Sequence, residues 1–311
     1  QDDLKNQLIE IQEIALSDRQ QAKRALDALE NEIGDVQGVA TSANEEFTNA
    51  YNAVHAVEQP QWNQYPLSVA AESLSITTKN DQAIVVSSTA GEVLTVQNSG
   101  ISGSYQKDQF KGVTEVVSVE NGAYFYQPNT GLWFVPSLGS EPTKIIDQNG
   151  QWGAVADIAV YVDNVYVLAP QVEQLSKYIG IGGGQLGGAT GYFIEPVEYD
   201  TVTDVAIDGF VYLLHSENKI EKFLGGKRTD FSLSGIYPTN VIANSIETEV
   251  GYAYLYVGTD KGVMIIDTNG VYQKFLQTSS KVTDLAVTEN EDTIYVITDE
   301  GLFSAPLNLP Q

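Results

Sequence analysis

The chain has 311 residues, of which 42% are hydrophobic, so it is long enough and apolar enough to bury a core and is not disordered by composition. Its 16 basic and 41 acidic residues give a formal net charge of −25, which opposes binding to nucleic acid or to an anionic membrane surface. The same charge favours cations and basic partners, or it serves solubility alone. There is no cysteine. Because the sequence has no run of about 18 apolar residues, we predict no membrane span within it.

The first 59 residues have a helical pattern. Apolar residues recur at steps of four and three from Leu4 to Ala15, and the stripe continues, weakened by Asp18, as far as Ile33. A second stripe runs from Ala43 to Val57. We therefore predict an α-helical hairpin over 1–59 whose apolar stripes face each other, with one long bent helix as the alternative. The same stripes could also support a helix-mediated oligomer.

A short connector over 60–66 follows the helices. It begins at Pro60, which ends the helical pattern, and it contains Trp62 and Tyr65. We expect these two aromatic side chains to pack where the helices meet the next domain.

From residue 67 onward the sequence has period-two β patterns and repeats about every 40 residues, which is typical of propeller blades. A phrase of the type Val-Thr-Asp-φ opens each unit. The third residues of the six openings are Ile76 in a faint first copy and then Glu115, Asp157, Asp204, Asn240 and Asp284.

Each unit contains up to four strand-like runs, of which the last is the most polar, as expected for the strands of a blade from the centre outwards. The sixth unit stops after its third run, so its outer strand must come from elsewhere. We predict that a strand near 67–71 supplies it and closes the ring, which removes exposed sheet edges. The predicted fold class is mainly β: a six-bladed β-propeller over 67–311 with an N-terminal α-helical hairpin.

These blade motifs resemble those of the six-bladed NHL/TolB-like propeller superfamily over roughly residues 67–311. The motifs are scaffold motifs, so the resemblance implies a fold and no catalytic residue. Such propellers usually act as binding or sensing platforms, and a minority are enzymes. A helical stalk followed by a propeller also resembles the outer part of bacterial membrane-anchored sensor or adhesion proteins. The chain begins at Gln1 without methionine, so we expect any anchor to lie upstream. The acidic composition, rich in Thr, Ser, Asn, Gln and Tyr, leads us to expect an extracytoplasmic protein.

The polar residue of each opening phrase is a candidate ligand. Equivalent positions in the blades fall on a circle around the central channel, and several carboxylates there would repel one another unless a cation is bound. Oxygen ligands suit Ca²⁺. The candidate metal ligands are Glu115, Asp157, Asp204, Asn240 and Asp284, with Ser75 as the first-blade member of a binding face. In the alternative interpretation each side chain caps backbone amides of its own blade, and the repetition is a feature of the fold.

Other candidate sites are weaker. His215 ends a strand run, and a lone histidine at a strand end is more often structural; the alternative is that it faces a channel mouth, where streptogramin-lyase-like propellers place a histidine. Gluconolactonase-like propellers bind a divalent metal through Glu, Asn and Asp, residue types that the ring contains. The glycine-rich run 180–188 precedes a strand pattern, which predicts a hairpin loop and not a phosphate site. Trp133, Trp152, Tyr105 and Phe110 are expected mainly in blade cores, with a sugar-stacking surface as the alternative.

Two functions remain on the sequence alone. The first is a non-catalytic extracytoplasmic module for binding, sensing or adhesion that recognises a protein, peptide or glycan on one propeller face. The second is a divalent-cation-dependent hydrolase or lyase that acts at the channel mouth. Three or more carboxylates that converge on one point below an open pocket would favour the enzyme. Carboxylates that turn onto backbone amides, with a filled channel, would favour the binding module.

Overall fold

The N-terminal region is a bundle of three helices. The computed structural model describes residues 2–33, 41–67, 69–97, 99–148 and 150–309. Its helices are Asp2–Ala15 (α1), Arg19–Ile33 (α2) and Thr41–Val54 (α3). The predicted hairpin is therefore wrong in the number of helices, because the segment predicted as its first helix is divided into α1 and α2. No described helix is both long enough and apolar enough to cross a membrane.

The break lies at Asp18, the residue that interrupts the apolar stripe. Its carboxylate accepts a hydrogen bond from the Gln21 amide at 2.9 Å, and its carbonyl accepts one from Ala22 at 3.0 Å. An aspartate in this position caps the N-terminus of a helix, so α2 begins directly after it. The three helices enclose their own core, in which Leu8 and Leu26 are fully buried.

The remainder of the described chain forms six sheets, antiparallel except where the short strand Val57–Glu58 (β1) joins the fifth sheet in parallel; a second short strand, Asn63–Tyr65 (β2), joins the sixth. The strands of each blade are given from the centre outwards. Blade 1 consists of Leu74–Lys79 (β3), Gln82–Ser87 (β4), Glu92–Gln97 (β5) and Gly100–Gln106 (β6), and blade 2 of Glu115–Val119 (β7), Gly122–Gln127 (β8), Gly131–Val135 (β9) and Thr143–Asp147 (β10). Blade 3 consists of Asp157–Tyr161 (β11), Asn164–Ala169 (β12), Gln174–Gly182 (β13) and Gln185–Gly191 (β14). Blades 4 to 6 consist of Val202–Ile207 (β15), Val211–His215 (β16), Ile220–Leu224 (β17) and Lys227–Thr229 (β18); Ala243–Glu247 (β19), Tyr254–Thr259 (β20), Gly262–Asp267 (β21) and Tyr272–Gln277 (β22); Val282–Val287 (β23), Thr293–Thr298 (β24) and Gly301–Pro306 (β25).

The sheets form a closed ring. The inner strand of each blade contacts the inner strands of both neighbours, including β23 of blade 6 against β3 of blade 1. The core lies between blades: Tyr212 and Leu214 of blade 4, for example, pack against Leu255 and Val257 of blade 5. Because the blades alternate side chains between their two faces, both faces are apolar and only the outer strands become polar. The mainly β, six-bladed propeller is thus confirmed.

The ring is closed by a strand from the segment that precedes blade 1, but not by the predicted one. Strand β2 pairs antiparallel with β25 and is the outer strand of blade 6, with Tyr65 opposite Leu302. Tyr65 is 3% exposed, and its hydroxyl lies 2.9 Å from Ser304 Oγ. The prediction that 67–71 supplies this strand is therefore wrong for its described residues: Leu67 packs against the blade 6–blade 1 core, and Ala71–Ser73 is a 3₁₀ turn. Ser68 lies outside the described residues.

The helices are attached to blade 5. Strand β1 pairs parallel with β22 and extends that blade to five strands. The Arg19 guanidinium donates to the carbonyl oxygens of Val54 at 3.1 Å and Ile236 at 3.0 Å. Trp62 donates to the Gln277 carbonyl at 2.8 Å, so the connector aromatics pack on blades 5 and 6.

Candidate functional site

A cavity of about 320 Å³ lies on the propeller axis and is lined by the inner strands of all six blades. Its wall contains one residue per blade at an equivalent position of the inner strand, which we call the ring position. The assignment follows the strand registers, in which each of these residues lies near the start of its inner strand and opposite the end of the second strand. The six ring residues are Ser75, Glu115, Asp157, Asp204, Ser245 and Asp284.

Asn240 does not belong to the ring, which corrects the sequence prediction for blade 5. It is exposed and lies outside the channel, where its side-chain oxygen accepts a hydrogen bond from the Tyr51 hydroxyl of α3 at 3.3 Å. Ser245 occupies the ring position of blade 5 instead. It lies opposite Gly258, the next-to-last residue of β20, just as Asp204 lies opposite Leu214, the next-to-last residue of β16. The sequence Pro238-Thr239-Asn240-Val241 imitates the opening phrase five residues before the real inner strand.

Three ring aspartates bind backbone amides of two blades at once. One oxygen of Asp204 accepts the amide of Val205 at 2.7 Å, and the other accepts the amide of Ile246 in blade 5 at 2.8 Å. Asp157 and Asp284 repeat this arrangement. The Asp157 carboxylate accepts the amide of Ile158 at 2.7 Å and that of Val205 in blade 4 at 3.3 Å. The Asp284 carboxylate accepts the amide of Leu285 at 2.8 Å and that of Ile76 in blade 1 at 3.0 Å. We call each such carboxylate an inter-blade clip.

The other three ring positions carry no clip. Ser245 is 7% exposed, and its hydroxyl has no hydrogen-bond partner in the described structure. Ser75 is hydrogen-bonded to the side chain of Asp284. The Glu115 carboxyl has neither a hydrogen bond nor an ion pair among the described residues. The ring thus has three clipped and three unclipped junctions between blades.

The ring carboxyls protonate more readily than carboxyls in water. Each is partly accessible within the channel but lies deep in the protein, and this burial raises the pKa of Asp157 to about 8 and that of Asp284 to about 7. Burial also raises the pKa of Glu115 and of Asp204 well above the usual range, with neighbouring ring carboxylates adding to it. The Asp157 and Asp204 carboxyls interact electrostatically, and this interaction adds to the rise in the pKa of Asp204.

Two further channel carboxyls were missed by the sequence reasoning. Glu247 and Glu249 line the same cavity, two and four residues after Ser245. Burial raises the pKa of Glu247 well above its usual range and that of Glu249 to about 7, and mutual repulsion contributes to the shift of Glu247. Strand periodicity counted from the correct ring residue would have found them, because side chains at every second position share one face.

The described residues contain no group of three or more acidic or histidine side chains that could hold a metal ion. The clips explain this, since the oxygens of Asp157, Asp204 and Asp284 already accept backbone amides of two blades. Calcium binding by the ring therefore stays a prediction, and nothing in the geometry favours it.

His215 lies away from the channel. It ends β16, is 1% exposed and places Nδ1 2.8 Å from the Thr201 hydroxyl. Its Nε2 is 3.3 Å from a carboxylate oxygen of Glu221, which also pairs with Lys219 at 2.6 Å and Arg228 at 3.1 Å. Burial lowers the pKa of His215, although Glu221 opposes the shift. His215 thus belongs to a buried polar cluster within blade 4, the structural role expected of a lone histidine at a strand end, and it is not among the described residues that line the channel cavity.

The remaining sequence candidates are structural. The glycine-rich run forms the hairpin between β13 and β14, with positive φ at Gly182, Gly183 and Gly184, so the hairpin prediction is confirmed. Trp152 and Phe110 are both 1% exposed and lie in inter-blade cores. Trp152 donates to the Tyr178 hydroxyl at 2.8 Å. Trp133 and Tyr105 are partly buried and pack against the core between blades 1 and 2, so two of the four aromatics are enclosed and two keep partial exposure.

No family model and no curated protein matches the sequence. Solved structures do match. A streptogramin B lyase is 13% identical with a TM-score of 0.57, over 80% of this chain and 98% of the other. A putative gluconolactonase is 10% identical with a TM-score of 0.59, over 80% and 92%. Virginiamycin B lyase from Staphylococcus aureus is 12% identical with a TM-score of 0.57, over 80% and 99%. At these identities the chain shares with the lyases and the lactonase the β-propeller fold.

Proposed function

We propose that the protein is a non-catalytic, extracytoplasmic binding module that recognises a protein or peptide partner through a basic side chain placed in the acidic channel. The observation that supports this is the use of the ring aspartates. Their oxygens are occupied by backbone amides, so they stabilise blade junctions and are not free to act together as metal ligands, acid and base. The repeated carboxylates therefore support a scaffold better than an active site.

The unclipped carboxyls have the chemistry of a cation site. Glu115, Glu247 and Glu249 line one cavity and have no hydrogen bond or ion pair among the described residues. Their raised pKa values show that negative charge is unfavourable there without a counter-charge. A guanidinium or ammonium group would relieve that repulsion, and Arg can bind carboxylates through two parallel hydrogen bonds. The overall charge of −25 would attract such a basic partner.

A protein or peptide is favoured over a glycan by the aromatic residues. Sugar-binding surfaces use exposed aromatic faces, whereas Trp152 and Phe110 are enclosed in blade cores and Trp133 and Tyr105 are partly buried against the core between blades 1 and 2. An extracytoplasmic location is part of the proposal and is supported by the acidic, cysteine-free composition. Self-association through the helices also stays a prediction.

The test compares two short peptides by isothermal titration calorimetry. One is an acetylated Gly-Arg-Gly amide and the other has citrulline, the neutral isostere, in place of arginine. We expect the arginine peptide to bind at least about tenfold more tightly, and the difference to vanish in the double variant Glu115→Gln, Glu247→Gln. Glu92→Gln, on β5 of blade 1 and away from the channel, is the matched control. Equal affinity for the two peptides, or full affinity in the double variant, would refute the cation site.

The alternative function is a divalent-cation-dependent hydrolase or lyase. Its support is the fold shared with the gluconolactonases and streptogramin lyases, together with an open acidic cavity. Hydrolysis of glucono-1,5-lactone above the buffer rate, lost on chelation and restored by Ca²⁺, would establish this alternative. Calcium calorimetry without heat at millimolar concentrations, combined with no lactone turnover, would exclude metal-dependent lactone hydrolysis.

A further inference from the structure

A second cavity, of about 230 Å³, lies between blades 1 and 2 and shares no residue with the channel. Aliphatic groups form most of its wall: Ile84, Ala123 and Val135 are each less than 5% exposed, and Leu138 lies at the rim with 37% exposure. The polar members of the wall are Lys79, Asn80, Gln82, Thr95 and Ser137. The cavity is thus apolar with a few polar groups, which is the composition of a small-molecule pocket.

Lys79 is the only charged residue in this wall. Within the described part of the chain its ammonium has a single hydrogen bond, to the Gly122 carbonyl at 3.4 Å, and no ion pair. Burial lowers the pKa of Lys79, and the more distant charge of Glu120 opposes the shift. The ammonium is half-buried in an apolar surrounding and uses one of its three donors in one long hydrogen bond, so the cost of removing its charge from water is only partly offset.

We propose that this pocket binds a small aliphatic monocarboxylate, whose carboxylate accepts hydrogen bonds from Lys79 and whose hydrocarbon chain packs on Ile84, Val135 and Leu138. A carboxylate supplies the counter-charge that Lys79 lacks, in a charge-assisted hydrogen bond. The side-chain amides of Asn80 and Gln82 lie in the same wall and can donate to the second oxygen. This site is independent of the channel function proposed above.

The cavity volume limits the size of the ligand. At roughly 30 Å³ per non-hydrogen atom, the volume of one liquid water, the pocket holds about eight such atoms. This corresponds to an acid of about six carbons, such as 4-methylpentanoate. So small a ligand makes few contacts, so we expect millimolar affinity.

The test is a titration of the ¹⁵N-labelled protein with 4-methylpentanoate, followed by amide chemical shifts. We expect saturable shifts of Gly122 and Leu138, and affinity at least about tenfold weaker for 4-methylpentan-1-ol, which lacks the charge. Lys79→Met should weaken binding of the acid to the level of the alcohol, and Lys79→Arg should retain most of it. Lys281→Met, at an exposed lysine on another blade, is the matched control and should change nothing.

Three outcomes would overturn the proposal. One is the absence of saturable shifts up to about 50 mM acid, beyond the weak affinity expected for eight atoms. Another is equal affinity for acid and alcohol. The third is undiminished binding in Lys79→Met, provided that its near-ultraviolet circular dichroism and melting temperature match the wild type. Because none of these readouts involves the channel, failure of the arginine-peptide experiment would leave this proposal standing, and the reverse is also true.

Discussion

The clipped and unclipped junctions of the propeller differ in one side chain at one equivalent position. Where the ring residue is aspartate, at blades 3, 4 and 6, the carboxylate binds amides of its own and the next blade. Where it is Ser75, Glu115 or Ser245, no such bridge forms. The most repeated residues are therefore the structural ones. The departures from the repeat leave chemical groups free, and a search for function should begin with them.

The largest expected effect tests whether a clip can hold a junction alone. The blade 6–blade 1 junction has both the Asp284 clip and strand β2, anchored by buried Tyr65. Tyr65→Ala should lower the free energy of unfolding by about 3–5 kcal/mol, as for other buried aromatics, measured by urea denaturation. Gln64→Ala, on the same strand but exposed, is the control. A loss below about 1 kcal/mol would mean that the clip suffices.

A smaller effect is expected from removing one clip. Asp204→Ala removes the side-chain acceptor of the Ile246 amide and one of the acceptors of the Val205 amide. An unsatisfied buried donor costs about 1–3 kcal/mol, so we expect a loss of about 2 kcal/mol in the free energy of unfolding. The loss is partly offset because a buried carboxyl is also removed. Unchanged or increased stability at pH 7 would show that the clips do not hold the blades together.

The pH dependence of stability sharpens the electrostatic side of the comparison. The folded pKa values of Asp157, Asp284 and Glu249 are about 8, 7 and 7, above those of unfolded carboxyls, so the folded protein binds more protons between about pH 4 and pH 8. Stability should therefore fall as the pH rises through this window. Allowing for screening by channel water, we expect a loss of about 2 kcal/mol between pH 5 and pH 8.

This dependence is measured by urea denaturation at four or more pH values. Asp284→Asn removes one titrating group and should flatten the profile, whereas Glu92→Gln at the surface should leave it unchanged. A stability that rises from pH 5 to pH 8 would contradict the raised pKa values.

The smallest effect comes from an unclipped position. Ser245→Ala removes a buried hydroxyl that has no partner, and the alanine methyl fits the space of the side chain it replaces. We expect stability to be unchanged or to rise by less than about 1 kcal/mol, by thermal melting. With Asp204→Ala it forms a matched pair, because the two substitutions stand at equivalent ring positions of neighbouring blades. A loss as large as that of Asp204→Ala would erase the distinction between the two kinds of junction.

The repeat made most of the fold predictable, because a period of about 40 residues with four strand runs admits few architectures. It placed the ring residue in five blades, since the phrase and the inner strand coincide there. It failed in blade 5, where Ser245 replaces aspartate and Asn240 lies in an imitation of the phrase. It also failed at β2, because Asn63-Gln64-Tyr65 is a short polar edge strand with little periodicity.

The sites depended on contacts that sequence patterns do not contain. That Asp204 reaches Ile246, 42 residues away, follows from the curvature of the ring. The pocket at Lys79 likewise joins two blades that are adjacent only once the ring has formed. His215 appeared available because it ends a strand run, yet Glu221 and Thr201 enclose it from neighbouring segments.

The attachment of the helices has a mechanical consequence. Strand β1 adds to the outer edge of blade 5 through a parallel ladder of two residues, Val57 and Glu58, and Arg19 fastens α2 to Ile236. A force applied to the helices is therefore delivered to the rim of one blade, where it loads a few hydrogen bonds in shear. The connector offers a second path, because β2 and Trp62 join the segment after the helices to blades 6 and 5. Blade 5 also carries Ser245, Glu247 and Glu249, so tension on the helices acts on a blade whose ring residue forms no clip.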